Sequence, residues 1–474
     1  MRLDEYSRYD AVGLSELVVR REVTAAELQQ CALAAHEQAH PLINAVVDVH
    51  PQDESALAAT GALAGVPTMV KDLFHGQAGL PCGNGSRLSA DWQVRGSTQI
   101  FARARAAGMT SMGRTTTSEF GIMGTTETLA QGITRSPWSP NHMAGGSSGG
   151  AGAVVGAGVV PVALASDGGG SIRIPAAACG VVGLKPGRGR VPWGMLLKEP
   201  LLGWAVQFAM TRTVRDAAVL LDVLGGPTPG DPQGVARPPV PYGRSFATPP
   251  APLRIAWWSY PWSGHDPDPV VVEATAATAQ LLEDLGHHVE AATPTFDWEV
   301  YLQAMTDVWA ATNAHTIDGF AGALGLEVSS RTLEGATLGM VERGRAVTAT
   351  ELLKAIDVET GLTYLMADFF SRYDVLLTPT LGAQLPQVGH YDPVAYTEPR
   401  DTFAGWSRWE SFLPVFNTTG QPAISLPLHQ SPDGLPIGMH FVAGLGREDV
   451  LLSLAATLEE ALPWAERRPP AYVR

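Results

Sequence analysis

Two glycine-rich segments stand close together in this sequence: Gly145-Gly146-Ser147-Ser148-Gly149-Gly150 and Ser166-Asp167-Gly168-Gly169-Gly170-Ser171-Ile172-Arg173. Glycine is favoured where the backbone approaches another group closely or takes a positive φ. Consecutive glycines also leave backbone N–H groups free to point at a developing negative charge. The serines in these segments are therefore candidate nucleophiles, and a nucleophilic serine needs a base that removes its proton.

The run between the two segments, residues 151 to 165, is almost wholly apolar. Its small residues predict a helix over about 151–158, and its second half predicts a buried strand over 159–165. Pro175 follows the second segment and suits the first turn of a helix, which would place Ser171 at the positive end of a helix dipole.

The composition indicates a soluble globular chain with a sizeable core. The chain has 474 residues, of which 45% are hydrophobic and 17% charged, and its formal net charge is −15. This charge argues against nucleic acid or an anionic membrane as a partner. The first residues contain no apolar signal segment, no apolar run is long enough to span a bilayer, and Cys31, Cys82 and Cys179 form no disulfide or zinc pattern. We therefore expect a cytoplasmic protein without a metal or other cofactor.

Strands that alternate with helices predict an α/β fold, with one large domain over 1–474 and a mixed central sheet covered by helices on both faces. A capping-box pattern at Thr24-Ala25-Ala26-Glu27 predicts a helix that ends at Pro41. Further helices are predicted over 98–108, 214–225, 270–285 and 451–462, with a helical stretch over 300–372. Strands are predicted over 65–72, 110–114, 181–186, 254–259, 374–379 and 436–442. A Pro- and Gly-rich surface connection is expected over about 226–252, and a long loop over 382–408.

Lys71 ends the predicted strand 65–72 and is the candidate base. A lysine can accept a proton only when it is neutral, so its pKa must fall from about 10.4 to near neutrality. Burial at the end of an apolar strand has this effect, and Asp72 would point to the opposite face of the strand. The N–H groups of Gly168, Gly169 and Gly170 could form an oxyanion hole beside Ser171.

These residues carry a resemblance to the amidase signature family. The matching blocks are Gly65-Val66-Pro67 through Lys71-Asp72, the GGSSGG segment, and Ser166-Asp167 through Ile174-Pro175, with further matches at Gly183-Leu184-Lys185-Pro186 and Gly420-Gln421-Pro422. The resemblance runs over nearly the whole chain, with the signature core at about 60–215 and a part that completes the pocket and the sheet at about 253–474.

The resemblance implies a Ser–cis-Ser–Lys triad. Ser171 would be the nucleophile, Ser147 would lie at a cis peptide bond and relay the proton, and Lys71 would be the general base. Ser148 would support this network, and Asp167 and Arg173 would form a structural pair that brackets the loop.

Other patterns in the sequence point to different chemistry. The segment from Gly145 to Gly149 also satisfies G-x-S-x-G, the nucleophile elbow of α/β-hydrolases, but that elbow requires a preceding strand, which residues 140–144 do not predict. The segment His36-Glu37-Gln38-Ala39-His40 matches a zinc-protease pattern, yet both histidines flank the apolar stripe of a helix as ordinary boundary residues do. Neither alternative explains Lys71 or the triple glycine.

Within the family, the chain is similar to stand-alone amidases of the 6-aminohexanoate-cyclic-dimer hydrolase type, and to those that cleave anilides or urethanes. The alternative is the A subunit of a glutamine-dependent tRNA amidotransferase, which usually carries Gln where this chain has Ile174. Apolar residues crowd the segments that line the family's acyl pocket, and they favour a hydrophobic amide or carbamate substrate. They are Phe120, Ile122, Met123, Met195, Leu196, Leu197, Leu201, Trp204, Trp309 and Trp406.

Overall fold

The computed structural model describes residues 1–194, 197 and 199–474. Its strands, in chain order, are β1 Val46–Val49, β2 Pro67–Lys71, β3 Thr110–Thr115, β4 Glu127–Thr128, β5 Gly132–Ile133, β6 Arg135–Ser136, β7 Ser139–Met143, β8 Val162–Asp167, β9 Val182–Lys185, β10 Val206–Thr211, β11 Arg254–Trp257, β12 His288–Ala291, β13 Val375–Pro379, β14 Ala423–Gln430 and β15 Pro436–Ala443.

The helices lie between these strands. They are α1 Leu3–Tyr6, α2 Ala11–Val19, α3 Ala25–Ile43, α4 Gln99–Ala106, α5 Gly149–Gly156, α6 Arg173–Cys179, α7 Val214–Leu224, α8 Tyr242–Ser245, α9 Pro269–Asp284, α10 Trp298–Leu324, α11 Gly335–Ala346, α12 Ala349–Arg372, α13 Pro399–Glu410, α14 Val415–Thr418 and α15 Glu448–Ala461. No helix among the described residues is both long and apolar enough to cross a membrane.

The centre of the fold is an 11-stranded sheet with the order β1-β3-β2-β8-β10-β9-β14-β15-β13-β11-β12. The sheet is mixed: β2 pairs in parallel with β3 and β8, whereas β10 pairs antiparallel with β8 and β9. Strands from the N-terminal and C-terminal parts of the chain therefore share one sheet, which helices flank. The predicted α/β class is confirmed.

The adjacent strands β2 and β8 position the glycine-rich segments. Every residue of both strands is buried, as expected for parallel strands covered on both faces. β2 ends on Lys71 and β8 ends on Asp167, so parallel pairing brings the two strand ends to the same edge of the sheet. Helix α5 begins within the first glycine segment, at Gly149, and α6 begins at Arg173, the last residue of the second segment.

Several predicted boundaries are wrong. Helix α3 begins at the predicted capping box but continues past Pro41 to Ile43, because a proline in the last turn removes one hydrogen bond without ending the helix. The predicted loop over 382–408 contains most of α13, which starts with Pro399 at a position that suits its fixed φ. The connection over 226–252 contains the short helix α8, whose Tyr242 is buried.

Candidate active site

Lys71 is fully buried at the end of β2. Its Nζ donates hydrogen bonds to the Ser147 hydroxyl at 2.7 Å and to the Ser166 hydroxyl at 3.2 Å. Burial lowers the pKa of Lys71 to about 7, although the negative charge of Asp167 acts in the opposite direction. Near neutral pH this amine is therefore divided between its charged and uncharged forms, and the uncharged form can accept a proton from a hydroxyl.

Ser147 lies in the segment between β7 and α5, and the peptide bond that joins it to Gly146 is cis. Gly146 packs against the backbone of Thr125, where an added Cβ would come within 2.6 Å of the Thr125 nitrogen and oxygen. The Ser147 carbonyl accepts a hydrogen bond from the Ser118 N–H at 3.2 Å. The first glycine segment is thus held by close backbone contacts that only glycine permits.

Ser166 and Ser148 form a second part of this hydrogen-bond network. The Ser148 hydroxyl donates to the Ser166 carbonyl at 3.1 Å, and the Ser166 hydroxyl accepts from Lys71. A supporting role was predicted for Ser148, but its contact with Ser166 was not. Strand alternation does not predict the contact between Lys71 and Ser166, because the parallel register pairs Val70 with Leu164 and so places Lys71 level with Ala165 rather than with Ser166.

Asp167 and Arg173 form a fully buried ion pair with an N–O distance of 2.9 Å. Burial opposes ionisation of Asp167, but the Arg173 guanidinium and the Asn417 amide hold its pKa well below the usual range. The Asp167 carboxylate also accepts hydrogen bonds from the backbone N–H groups of Gly170 at 2.7 Å and Ile172 at 3.1 Å. This pair therefore fixes the loop that carries Ser171.

The predicted oxyanion donors need one correction. The Gly170 N–H points at Asp167 and is not free to bind a substrate oxygen. The N–H groups of Gly168, Gly169 and Ser171 donate no hydrogen bond to the residues that the structure describes. The ring of Trp309 lies over this loop, where an added Cβ on Gly168 would come within 3.3 Å of it.

A cavity of about 860 Å³ opens beside these groups, and Ser147, Ser166, Gly168 and Ser171 line it. Its wall is largely aromatic. The aromatic rings belong to Phe74, Trp92, Phe120, Trp193, Trp309 and Phe320. The Phe320 ring centroid lies 5.0 Å from that of Trp92 and 5.9 Å from that of Phe120, so α10 contributes a ring that joins those of the loops. This cavity is large enough to bind an apolar ligand the size of a small oligomer.

A second cavity of about 40 Å³ is also lined by Ser171. Ile122 and Met123 line it together with Gly169, Ile174 and Glu410. Glu410 was not among the predicted pocket residues; it is the last residue of α13 and lies two residues beyond the loop predicted over 382–408.

Only some of the residues that were predicted to line the pocket lie beside the large cavity. Phe120, Leu197, Leu201 and Trp309 line the large cavity. Trp204 lines neither cavity and packs in the core, so its assignment to the pocket is wrong. Trp406 is half-buried and packs against Trp409 outside both cavities. Met195 and Leu196 lie outside the described residues.

The structure also shows the surroundings of the two alternative motifs, the nucleophile-elbow pattern and the zinc-protease pattern. A strand, β7, does precede the GGSSGG segment, contrary to the prediction, but it pairs with β6 in a small separate sheet and not in the central sheet. His36 and His40 lie on one side of α3, with ring centroids 4.8 Å apart. Among the described residues no group of three or more His, Cys, Asp or Glu side chains is arranged to hold a metal ion.

The chain belongs to the Amidase family, whose model matches residues 27–452. It is accordingly a hydrolase that acts on the carbon–nitrogen bonds of amides. This confirms the resemblance seen in the sequence.

Individual relatives match over almost their whole length. The chain is 37% identical to the putative amidase AmiC of Mycobacterium leprae, over 98% of this chain and 97% of that protein. It is 36% identical to the 6-aminohexanoate-cyclic-dimer hydrolase of Pseudomonas sp. strain NK87, over 97% and 96%. A solved structure of 6-aminohexanoate cyclic dimer hydrolase superposes with a TM-score of 0.92 at 35% identity and covers 98% of this chain and 99% of its own.

Proposed function

We propose that this protein is a stand-alone serine hydrolase that cleaves the C–N bond of small or oligomeric hydrophobic amides through Lys71, Ser147 and Ser171. The observation that carries the proposal is the buried amine of Lys71, 2.7 Å from the Ser147 hydroxyl, in a site whose cavity Ser147 and Ser171 both line. A buried lysine with a pKa of about 7 is a base suited to neutral pH.

The proposed reaction begins with neutral Lys71. Ser171 Oγ attacks the amide carbon and passes its proton to Ser147, while the Ser147 proton moves to Lys71. The oxyanion of the tetrahedral intermediate accepts hydrogen bonds from the free N–H groups of Gly168, Gly169 and Ser171.

The C–N bond breaks when the leaving nitrogen takes a proton from protonated Lys71 by way of Ser147. This step leaves the acyl group as an ester on Ser171 and returns Lys71 to its neutral form. Water then attacks the ester and passes a proton by way of Ser147 to Lys71. When the ester C–O bond breaks, protonated Lys71 returns a proton by way of Ser147 to Ser171 Oγ, which releases the acid and restores the Ser171 hydroxyl.

The substrate class follows from the large cavity. Its aromatic wall and volume of about 860 Å³ favour apolar acyl or amine groups over small polar ones. Anilides, esters and urethanes present the same kind of carbonyl to Ser171, and we include them as side substrates. The similarity to 6-aminohexanoate-cyclic-dimer hydrolase supports oligomeric amides in particular.

The A subunit of a glutamine-dependent amidotransferase is the second candidate. Ile174 argues against it, because this buried apolar side chain lines the small cavity beside Ser171 and offers no hydrogen bond to a glutamine amide. The test uses the purified protein alone with hexanoyl-4-nitroanilide and, separately, with glutamine. The proposal predicts release of 4-nitroaniline and no ammonia from glutamine. The opposite pattern would favour the amidotransferase subunit, and turnover of neither compound would contradict the stand-alone amidase.

A further inference from the structure

The small cavity contains a carboxyl group that makes no hydrogen bond or ion pair with the part of the chain that the structure describes. Glu410 ends helix α13, and its side chain lines this cavity together with Ser171. Its Oε1 atom is buried and has no hydrogen-bond partner among the described residues. Gly124 lies directly against the carboxyl, since an added Cβ there would come within 1.6 Å of Oε1. Glu410 is the only charged residue among the described residues that line this cavity.

The position of Glu410 is unfavourable for stability. Burial raises the pKa of its carboxyl to about 8, and the negative charge of Asp167 adds to this effect. A negative charge at the C-terminal end of a helix also opposes the helix dipole. Because neither a cation nor a hydrogen bond from the described residues compensates for these costs, the observed contacts give the carboxyl no structural role.

Two further buried polar groups without partners line the same cavity. The Trp309 indole Nε1 and the Ser411 hydroxyl make no hydrogen bond to the described part of the chain. The indole is a donor only, the carboxyl supplies an acceptor, and the hydroxyl can do either. Three unsatisfied groups around one cavity are unusual, because buried polar atoms are nearly always paired.

We propose that Glu410, Trp309 and Ser411 form a polar subsite that binds a second amide group of the substrate, next to the amide that Ser171 cleaves. The second amide would donate its N–H to Glu410 and accept a hydrogen bond from the Trp309 indole at its carbonyl oxygen. This inference rests on the proposed function and narrows its substrate class to compounds with at least two amide groups.

An amide fits this subsite better than an ammonium group does. An ammonium has no acceptor for the Trp309 indole, and it would have to lose its full hydration in a cavity with a single carboxyl. An amide offers one donor and one acceptor, so it can pair with Glu410 whether that carboxyl is ionised or protonated. The cavity of about 40 Å³ also has room for a few heavy atoms and not for a long chain.

The test compares three 4-nitroanilides whose acyl chains have the same length. One acyl chain contains an internal amide, one is a simple alkyl chain, and one ends in a primary amine. Each set is prepared with several distances between the anilide carbonyl and the second polar group, with an alkyl chain of matching length. We expect the wild-type protein to prefer the diamide over the alkyl compound in kcat/KM by about tenfold, the effect of satisfying buried polar groups.

The variants separate a binding role from a structural one. Glu410→Leu should lower the ratio of kcat/KM for the diamide to kcat/KM for the alkyl compound to about one. Trp309→Phe should lower this ratio in part, because each variant removes one hydrogen bond. Glu410→Gln keeps an acceptor oxygen and should retain most of the preference. Glu283→Gln, which changes an exposed carboxyl on α9, is the matched control and should leave the preference unchanged.

Stability gives an independent measurement. Glu410→Leu should unfold in urea at the same or a higher concentration than the wild type, because it removes a carboxyl whose buried Oε1 has no partner among the described residues. A clear drop in the urea midpoint would indicate a structural role for Glu410 and would overturn the proposal.

The substrate comparison distinguishes the failure of this inference from the failure of the proposed function. Turnover of the alkyl anilide without any preference for the diamide would overturn the subsite and leave the proposed hydrolase intact. A preference for the terminal amine over the diamide would overturn the amide assignment. Turnover of none of the three anilides would contradict both proposals.

Discussion

The Asp167 carboxylate accepts a hydrogen bond of 2.7 Å from the Gly170 N–H, one residue before Ser171. The same carboxylate pairs with Arg173 two residues beyond Ser171, and both side chains are fully buried. One carboxylate thus holds the backbone on both sides of Ser171. This arrangement fixes the loop and determines which of its N–H groups remain free.

We predict that Asp167→Asn destabilises the fold by about 3–5 kcal/mol, because it leaves the buried Arg173 charge uncompensated. Urea unfolding measured by circular dichroism checks this value. Asp374→Asn, which removes a partner from the more exposed pair with Arg254, is the control and should change the stability little. A loss below about 1 kcal/mol for Asp167→Asn would show that the pair is not the support we describe.

Lys71 and Lys185 form a matched pair for testing the role of the buried amine. Burial lowers the pKa of each to about 7, but only Lys71 contacts serine hydroxyls; Lys185 donates to the Pro186 carbonyl. Lys71→Ala should reduce kcat/KM by about 10²–10⁴-fold, the usual contribution of a general base. Lys185→Met should retain activity within about tenfold, with thermal unfolding measured for both variants. Equal losses in two folded variants would contradict a specific role for Lys71.

The pH dependence of kcat/KM should follow the proton on Lys71. Because burial lowers this pKa to about 7, the active neutral form increases as pH rises through 7. We expect kcat/KM to rise about tenfold per pH unit well below 7 and to level off above it. Initial rates with an alkyl 4-nitroanilide between pH 5 and 9 test this profile. Activity that falls as pH rises from 6 to 8 would require a protonated catalytic group instead.

Ser166→Ala should change the pH profile as well as the rate. The Ser166 hydroxyl accepts a hydrogen bond from Lys71 at 3.2 Å and so stabilises the charged amine. Its removal should lower the Lys71 pKa further and move the midpoint of the profile by about half a pH unit towards acid. Ser148→Ala removes a hydroxyl that does not contact Lys71 and should leave the midpoint in place. An unchanged midpoint in Ser166→Ala would show that this contact has no influence on the base.

The alternation of strands and helices was sufficient to predict the fold class. The resemblance to the amidase signature family predicted that Lys71 and Ser147 lie together, and the structure places them 2.7 Å apart. It did not predict β10, whose Gln207 is a polar residue that is buried in the sheet. It also did not predict β14, in which Pro427 interrupts the strand pattern. For both β10 and β14, pairing with the adjacent strands determines the structure more strongly than the local sequence propensity does.

The pocket was harder to predict than the loop that carries Ser171. Apolar residues such as Trp204 and Phe120 look alike in sequence, yet one packs in the core and the other lines the large cavity. Glu410 reaches the small cavity from helix α13, far away in sequence from Ser171. Nothing local in the sequence marks such a residue, because its contacts are made entirely by tertiary packing.

Covalent labelling of Ser171 tests the central proposal most directly. The wild-type protein should react with an alkyl or aryl sulfonyl fluoride, and intact mass and peptide mapping should place a single sulfonyl group on Ser171. Ser171→Ala should remain unlabelled, and Lys71→Ala should react at least about 10²-fold more slowly because Ser171 loses its base. Labelling at another residue, or equal labelling rates in the wild type and Lys71→Ala, would contradict the proposed roles of Lys71 and Ser171.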